Sequence, residues 1–267
     1  MSKTKALGQH FLNDPSILRK ILNIIDPQKD ELVIEIGAGK GALTFPLAER
    51  AGKVIAIEKD AALIPFLREN GRENLIVIER DVLEVDFREL LASEPGFRSR
   101  VKIVGNLPYS ISSPLLFKVF DDKELFSACV FLLQKEVAQR VAAGPGSKSY
   151  APLSILFQLY FEVRLRLTLA PGAFSPPPKV QSALVSLEKR TAPLFGVADE
   201  DLFRRFLRAA FAQRRKTLSN NLKSWPHRSG PIQEGLLRLG LKETARAEQL
   251  SIGEFVALFG LLTSAQG

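Results

Sequence analysis

Five short apolar segments, separated by stretches with helical periodicity, constrain the fold of this chain more than any other feature of its sequence. Each segment is rich in Ile, Val or Leu and too short for a buried helix, so we predict strands covered on both faces. These segments are residues 32–36, 54–57, 75–78, 101–104 and 128–133. The helical patterns cover residues 15–25, 43–50, 61–70, 87–91, 114–120 and 135–142. This alternation requires right-handed crossovers and predicts an α/β fold around a parallel sheet.

A different pattern follows Gly144, with one helical segment and two segments that alternate apolar and polar side chains. These three segments are residues 153–160, 161–169 and 182–187. Two strands without a helix between them predict an antiparallel hairpin that closes one edge of the sheet. Beyond residue 201 only short helical patterns occur. We therefore predict an α/β domain over residues 1–192 and a small all-helical domain over residues 193–267.

The 267-residue chain has a formal net charge of +8 and a sequence pI of about 9.6, which favours a polyanionic partner. With one cysteine, Cys129, and two histidines, it lacks the residues for an internal disulfide or a common zinc site, so we predict no metal centre. The N-terminal residues lack the apolar core of a signal peptide, and no apolar stretch reaches the roughly 18 residues of a membrane span. We expect a cytoplasmic protein without a membrane partner.

The first predicted strand leads into a glycine-rich turn that opens a helix. Gly37, Gly39 and Ala42 fit the dinucleotide-binding fingerprint, whose glycines let a ligand approach the backbone. The same glycines are compatible with S-adenosylmethionine, so by themselves they leave both cofactors open. A P-loop is excluded, because no Gly-Lys-Ser/Thr sequence stands at the required spacing.

Three acidic residues at the ends of successive strands favour S-adenosylmethionine over NAD. Glu35 precedes the turn, where its charge would repel a pyrophosphate but suits the cationic sulfonium and amino groups of S-adenosylmethionine. Glu58 ends the second strand, 21 residues after Gly37, where a carboxylate can hold both ribose hydroxyls. Asp81 follows the third strand and can accept from the adenine amine. We predict that these acids bind the cofactor together with Gly37 and Gly39.

The fourth strand leads into Asn106, Leu107, Pro108 and Tyr109, the most specific signal in the chain. An exocyclic adenine amine is a poor nucleophile, because its lone pair is delocalised into the ring. The Asn106 side-chain oxygen and the Leu107 carbonyl can hold its two N–H bonds out of the ring plane, which turns the lone pair toward a methyl donor. Pro108 stiffens the turn, and Tyr109 offers an aromatic face to an extruded base.

Six stretches of the chain, taken in order, resemble one enzyme family. They are residues 8–12, 37–39, 106–112, 134–136, 174–180 and 214–221. Over nearly its full length the chain is similar to rRNA adenine N6,N6-dimethyltransferases of the KsgA (RsmA) type. The resemblance implies a class I (Rossmann-like) methyltransferase sheet with a helical C-terminal domain. It also implies transfer of two methyl groups to each of two adjacent adenosines in the 3′-terminal hairpin of small-subunit (16S) rRNA, linked to small-subunit maturation.

The resemblance also implies roles for single residues. Those expected on the cofactor are His10, Leu12, Gly37, Glu58, Asp81 and Asn106. Residues 106–109 and Phe174 are expected to hold the target base, with Phe174 exposed in a proline-stiffened loop. His10 stands where the family often has Asn.

Residues 202–228 contain eight basic residues and no acidic one. On a helix, Phe203 and Phe206 would share an apolar face, while Arg204, Arg208 and Arg215 would line a basic one. Such a surface is suited to phosphate contacts. The candidate RNA-binding residues are Arg204, Arg208, Arg214, Arg215, Lys216 and Lys223. The expected partner is small-subunit rRNA within the 30S particle, and the expected state is a monomer.

Three other functions compete with this interpretation. A large-subunit rRNA adenine dimethyltransferase of the antibiotic-resistance type would use the same chemistry. A non-catalytic ribosome assembly factor could keep the fold, although the intact Glu58, Asp81 and Asn106 argue for catalysis. An NAD-dependent dehydrogenase is disfavoured, because no proton-relay His or Lys accompanies the glycine turn.

Overall fold

The computed structural model describes residues 10–97, 100–226 and 231–263. The strands are β1 (Phe11–Leu12), β2 (Leu32–Ile36), β3 (Lys53–Glu58), β4 (Leu75–Glu79), β5 (Val101–Asn106), β6 (Ala128–Gln134), β7 (Phe161–Leu169), β8 (Phe174–Ser175) and β9 (Ser182–Lys189). The α-helices are α1 (Pro15–Ile25), α2 (Thr44–Arg50), α3 (Ile64–Glu69), α4 (Phe87–Ala92), α5 (Ser112–Asp121), α6 (Lys135–Ala142), α7 (Pro152–Tyr160), α8 (Glu200–Ala210), α9 (Leu218–Asn221), α10 (Ile232–Arg238) and α11 (Ile252–Thr263). Every strand and helix predicted up to residue 187 is present, with ends shifted by a few residues.

Seven of these strands form one sheet in the order β4-β3-β2-β5-β6-β9-β7. The neighbours from β4 to β6 run parallel, and β9 runs antiparallel to β6. The predicted α/β fold is therefore confirmed. The last strand in the chain inserts beside β6, so β7 forms the outer edge.

Burial on both faces explains why the central strands are continuously apolar. Every residue of β2 is buried, and β3 is buried beyond its first residue. The edge strand β4 is instead half-exposed. Each fully buried Val, Leu or Ile side chain contributes about 1.5–3 kcal/mol, so the centre of the sheet is the most strongly stabilised part of this unit.

The ends of α1 follow from its sequence. The Asp14 side chain accepts from the backbone N–H groups of Ser16 and Ile17, and Pro15 occupies the first turn, where no N–H is required. At the other end Asp26 adopts a left-handed conformation with φ 45°, and its N–H donates to the Leu22 carbonyl. This helix leads from the N-terminal arm to β2.

The chain divides into two compact units. The first runs to Ala138 and resumes over Glu162–Lys189, and the second comprises Gln139–Phe161 and the chain from Arg190 onward. The units differ from the predicted domains 1–192 and 193–267, because α7 and the loop before it pack with the C-terminal helices.

Within the second unit, aromatic and backbone contacts bind the 139–161 segment to the C-terminal helices. The Tyr150 ring lies 6.0 Å from the Phe211 ring, and the Gly146 N–H donates to the Glu248 carbonyl. In α8, Phe203 and Phe206 are completely buried, which confirms the predicted apolar face. Among the described residues, no helix has both the length and the apolar character that a bilayer crossing requires.

Candidate active site

The carboxyl ends of β2, β3 and β5, together with the turn after β4, surround a cavity of about 290 Å³. Parallel strands bring their carboxyl ends to one edge, which is where open α/β sheets bind ligands. Nine of the predicted site residues line this cavity: His10, Gly37, Gly39, Glu58, Asp81, Asn106, Leu107, Pro108 and Tyr109. Leu12 and Glu35 line an adjoining cavity of about 80 Å³, and Phe174 lines neither.

The glycine turn is stabilised by the carboxylate at the end of the neighbouring strand. Gly37 and Gly39 have φ values of 72° and 56°, in the left-handed region that other residues rarely adopt. Glu58 Oε2 accepts from the Gly39 N–H at 2.8 Å, and Oε1 accepts from the N–H groups of Lys59 and Asp60, each at 2.9 Å. The buried Glu58 therefore holds the turn against the end of β3.

Asp81 is held as a carboxylate at the cavity wall. Its Oδ2 accepts from Lys59 Nζ at 2.7 Å, and its Oδ1 accepts from the Leu83 N–H at 3.0 Å. The hydrogen bond from Lys59, followed by that from Leu83, lowers the pKa of Asp81 below its usual value. An ionised acceptor is thus available beside Glu58.

The Asn106 amide is oriented by the N-terminal arm. Its Nδ2 donates to the His10 carbonyl at 2.7 Å. Because a carbonyl only accepts, the amide atom that faces it must be the nitrogen, and Oδ1 is directed away from it. The next residue is equally constrained, since the Leu107 N–H donates to the Leu132 carbonyl at 3.0 Å. Asn106 Oδ1 and the Leu107 carbonyl are thus two acceptors at one turn.

Tyr109 lies within a turn that is closed by the Pro108 carbonyl. That carbonyl accepts from the Ile111 N–H and from Ser112 Oγ, each at 3.1 Å. The Tyr109 ring lies 5.6 Å from the His10 ring, and its hydroxyl lies 2.6 Å from Ser182 Oγ. Burial raises the pKa of Tyr109 despite this hydrogen bond, so the phenol is neutral.

Sequence reasoning missed Ser182. It lies 73 residues from Tyr109, and nothing in either local pattern indicates that the two hydroxyls meet. The His10 side chain is also more constrained than a loop position suggests. Its Nδ1 lies 2.7 Å from the Pro176 carbonyl, which can only accept, so this nitrogen carries the proton.

Comparison with known proteins identifies the family. A family model described as "Ribosomal RNA adenine dimethylase" matches residues 1–264. The chain belongs to this family. A relative in Geobacter metallireducens, named "Ribosomal RNA small subunit methyltransferase A", is 46% identical over 258 residues that cover 95% of this chain and 93% of the relative. Its namesake in Geobacter sulfurreducens is 45% identical over 269 residues, covering 98% and 96% of the two chains.

Solved structures support the same assignment. A dimethyladenosine transferase from Plasmodium falciparum superposes with a TM-score of 0.79 at 30% identity, covering 93% of this chain and 96% of that one. The 23S rRNA methyltransferase ErmE gives a TM-score of 0.73 at 25% identity, covering 95% and 100%. The chain is thus an S-adenosylmethionine-dependent rRNA adenine methyltransferase with the fold of its family.

The residues at the strand ends fit S-adenosylmethionine. Gly37 and Gly39 carry no side chain that could stand between their backbone and a ligand, and both Glu58 and Asp81 face the cavity. A carboxylate at the end of the second parallel strand suits ribose hydroxyls, and the Asp81 carboxylate suits an adenine amine. The family assignment decides between the two candidate cofactors, which the glycine pattern left open, in favour of S-adenosylmethionine.

Glu35 differs from the expectation of a charged group beside the turn. Its side chain is buried in β2, and among the described residues neither its Oε2 nor the nearby Thr44 Oγ1 has a hydrogen-bond partner. Burial, and to a smaller extent the Glu58 carboxylate, raises the pKa of Glu35 to about 8, although proximity to the Thr44 hydroxyl offsets part of the shift. Without a ligand, this dimethylase carries mostly a neutral Glu35 at pH 7.

The expectation that Phe174 is exposed in a loop is wrong. Phe174 lies in β8, is 4% exposed, and packs in an apolar cluster with Leu12, Leu169 and Leu184. The antiparallel pairing that places Phe174 opposite Leu12 draws the ring inward. In this structure of the dimethylase, Phe174 supports the N-terminal arm rather than the cavity wall.

The six predicted RNA-binding residues all lie in the second unit, but they do not share one helix. Arg204 and Arg208 lie on α8, which ends at Ala210. Arg214, Arg215 and Lys216 lie in the following turn, and Lys223 follows α9. The prediction that Arg215 continues the helical stripe is wrong, because the helix ends before it.

Parts of two predicted features, Gly8 and Gln9 of the arm and Arg228 of the basic region, lie outside the described residues.

Proposed function

We propose that this protein dimethylates the N6 amines of two adjacent adenosines in the 3′-terminal hairpin of small-subunit (16S) rRNA, in support of small-subunit maturation. The observation that carries the proposal is the oriented Asn106 amide, which directs Oδ1 away from His10 as an acceptor beside the Leu107 carbonyl. The small-subunit substrate is favoured by relatives of that name at 41–46% identity, against 25% for the large-subunit enzyme ErmE.

The two acceptors account for activation of the target amine. Asn106 Oδ1 and the Leu107 carbonyl accept its two N–H bonds, so the nitrogen lone pair leaves conjugation with the ring and faces the methyl donor. When bound, S-adenosylmethionine supplies the methyl group on a sulfonium centre. Pro108 keeps the turn rigid, and Tyr109 stacks on the extruded base. After the first transfer one N–H remains, and one acceptor is enough to hold it.

The remaining cavity residues position the cofactor. Gly37 and Gly39 admit it to the backbone, Glu58 binds the ribose hydroxyls, and Asp81 accepts from the adenine amine. Glu35 faces the amino end from the adjoining cavity. The residues of the N-terminal arm that cover the cofactor are His10 and Leu12.

A basic surface binds the RNA. We assign phosphate contacts to Arg204, Arg208, Arg214, Arg215, Lys216 and Lys223. The substrate is an assembled 30S particle rather than a free hairpin, because one hairpin offers few phosphates to so many basic residues. The protein acts as a cytoplasmic monomer without a membrane partner.

One experiment distinguishes the proposed function from two alternatives. Tritiated S-adenosylmethionine is offered with unmethylated small subunits, large subunits and naked rRNA, and the labelled nucleosides are then identified. Label in N6,N6-dimethyladenosine from small subunits alone is the expected result. Label in large-subunit RNA would assign the resistance-type activity. Cofactor binding without label would leave the role of a non-catalytic assembly factor.

A further inference from the structure

The hydroxyl of Tyr109 meets one buried polar group. Tyr109 is half-buried at the cavity wall, and its hydroxyl lies 2.6 Å from Ser182 Oγ. Ser182 is 1% exposed and belongs to β9, on the far side of β6 from the turn that carries Tyr109. The two ends of this tyrosine are thus held by different elements, its backbone by the turn after β5 and its hydroxyl by β9.

Ser182 is itself a firm anchor. It is the first residue of β9 and stands opposite Gln134 in the antiparallel pairing with β6. The neighbouring Gln181 is bound twice by Lys135, whose N–H donates to the Gln181 carbonyl at 2.9 Å and whose Nζ donates to Oε1 at 2.8 Å. The backbone position of Ser182 is therefore set by the sheet register.

We propose that Ser182 is a positioning residue, which fixes the place of the Tyr109 ring on which the target adenine stacks. The inference rests on the proposed function, because it requires Tyr109 to face the target base. A tyrosine that is attached only through its backbone can still rotate about its two side-chain torsions. A hydrogen bond at the far end of the ring restrains the first torsion, and so the place of the ring, before the substrate arrives. Such preorganisation lowers the barrier to transfer without adding a contact to the substrate.

Four variants test this role in the full-length protein: Ser182→Ala, Tyr109→Phe, the double variant and Ser186→Ala as the control. Tyr109→Phe keeps the aromatic face and removes only the hydroxyl. Ser186 is a buried serine on the same strand, and among the described residues its Oγ has no hydrogen-bond partner. The control therefore makes the same substitution in the same strand without breaking this hydrogen bond.

Methyl transfer to unmethylated small subunits is measured for each variant, with active sites titrated by S-adenosylmethionine binding. We expect Ser182→Ala to lower kcat about threefold to tenfold, the range that a single hydrogen bond accounts for. The Kd for S-adenosylmethionine and its KM should not change. The double variant should be no slower than the slower single variant, since both substitutions break the same hydrogen bond. Ser186→Ala should match the wild type.

The outcomes separate this role from general destabilisation and from failure of the proposed function. A purely structural Ser182 would lower the melting temperature and the fraction of active sites, but not kcat for each titrated site. An unchanged kcat in Ser182→Ala, or multiplied losses in the double variant, would overturn the positioning role alone. Absence of transfer by the wild type would overturn the proposed function and this inference with it.

A spectroscopic measurement checks the same point without turnover. 2-Aminopurine at the target position of the rRNA fluoresces when it leaves the base stack and is quenched by stacking on an aromatic ring. We expect the Ser182→Ala complex to fluoresce more brightly than the wild-type and Ser186→Ala complexes. Equal intensities would contradict a change in stacking.

Discussion

At the scale of single residues, the Asn106 amide has one permitted orientation. The His10 carbonyl accepts from Nδ2, so the oxygen is committed to the other side of the amide. Catalysis benefits from such a group, because an acceptor that is already oriented needs no rearrangement as charge develops on the amine. The backbone of the N-terminal arm thus determines the orientation of a side chain in the turn at residues 106–109.

We predict that Asn106→Asp lowers the rate of methyl transfer by about 100-fold or more. The carboxylate cannot donate to the His10 carbonyl, and the two oxygens repel each other. Single-turnover transfer to small subunits measures the effect. Asn74→Asp is a matched control, because Asn74 Nδ2 also donates to backbone carbonyls, those of Ala48 and Ala51, outside both cavities. It should lower stability but not the rate for each active site, and a similar rate loss in both variants would contradict the assignment.

Glu35 should make the stability of the ligand-free protein depend on pH. Its pKa is raised by burial to about 8 from an ordinary value of 4.5. At a pH between these two pKa values, Glu35 is ionised in the unfolded chain but keeps its proton in the folded protein. The free energy of unfolding therefore falls as pH rises. Glu35→Gln removes this loss. We expect the free energy of unfolding of the variant to exceed that of the wild type at pH 8 by on the order of 4 kcal/mol, and at pH 5 by about 1 kcal/mol or less.

Urea unfolding at the two pH values measures this difference. If the free energy of unfolding changed equally with pH in the wild type and in Glu35→Gln, Glu35 would ionise normally in the folded protein.

At the scale of elements, the close approach of β5 to β2 depends on Gly105. A Cβ on Gly105 would lie 2.6 Å from the Ile36 carbonyl oxygen, closer than side-chain carbons are found to backbone atoms. Both strands end at the cavity, so their separation fixes the distance between the glycine turn and the turn at residues 106–109.

We predict that Gly105→Ala destabilises the protein by about 1–3 kcal/mol, since the backbone must shift to admit the methyl group. The control is Gly260→Ala in α11, where a Cβ would meet no atom within 4 Å. Removing a glycine from a helix interior should stabilise by about 0.5–1 kcal/mol. Chemical denaturation measures both effects, and equal changes in the two variants would contradict the close approach as the cause.

At the scale of the whole molecule, the net charge of +8 is concentrated where the sequence lacks acids. Arg214, Arg215 and Lys216 are exposed in one turn of the second unit. Three cations in one short segment can neutralise several phosphates and release their counterions. Binding through them should therefore weaken steeply as salt is added.

We predict that replacing Arg214, Arg215 and Lys216 with alanine weakens binding to small subunits. It should also lower the slope of log Kd against log salt concentration by about 1 for each phosphate that the variant no longer neutralises. Equilibrium binding across a salt series measures both quantities. Arg238→Ala is the control, because the Arg238 charge is already paired with Glu234 on α10. An unchanged slope in the triple variant would place the RNA-binding surface elsewhere.

The sequence determined the parallel strands, their helices, the glycine turn and the turn at residues 106–109, because each leaves a local pattern of apolar spacing or of Gly, Asn and Pro. It also predicted that the acids at the strand ends lie close together, since parallel strands place their carboxyl ends at one edge. Local periodicity carries no information on which distant segments meet.

Only the tertiary structure decided the remainder. Phe174 is buried because β8 pairs with β1, and the 139–161 segment joins the second unit because its aromatic residues pack there. Ser182 reaches Tyr109 because β9 inserts beside β6. Each of these depends on strand pairing or side-chain packing between residues far apart in the chain. The free energy that stabilises such a contact comes from the interaction between the two segments, so the local sequence of either segment does not predict the contact.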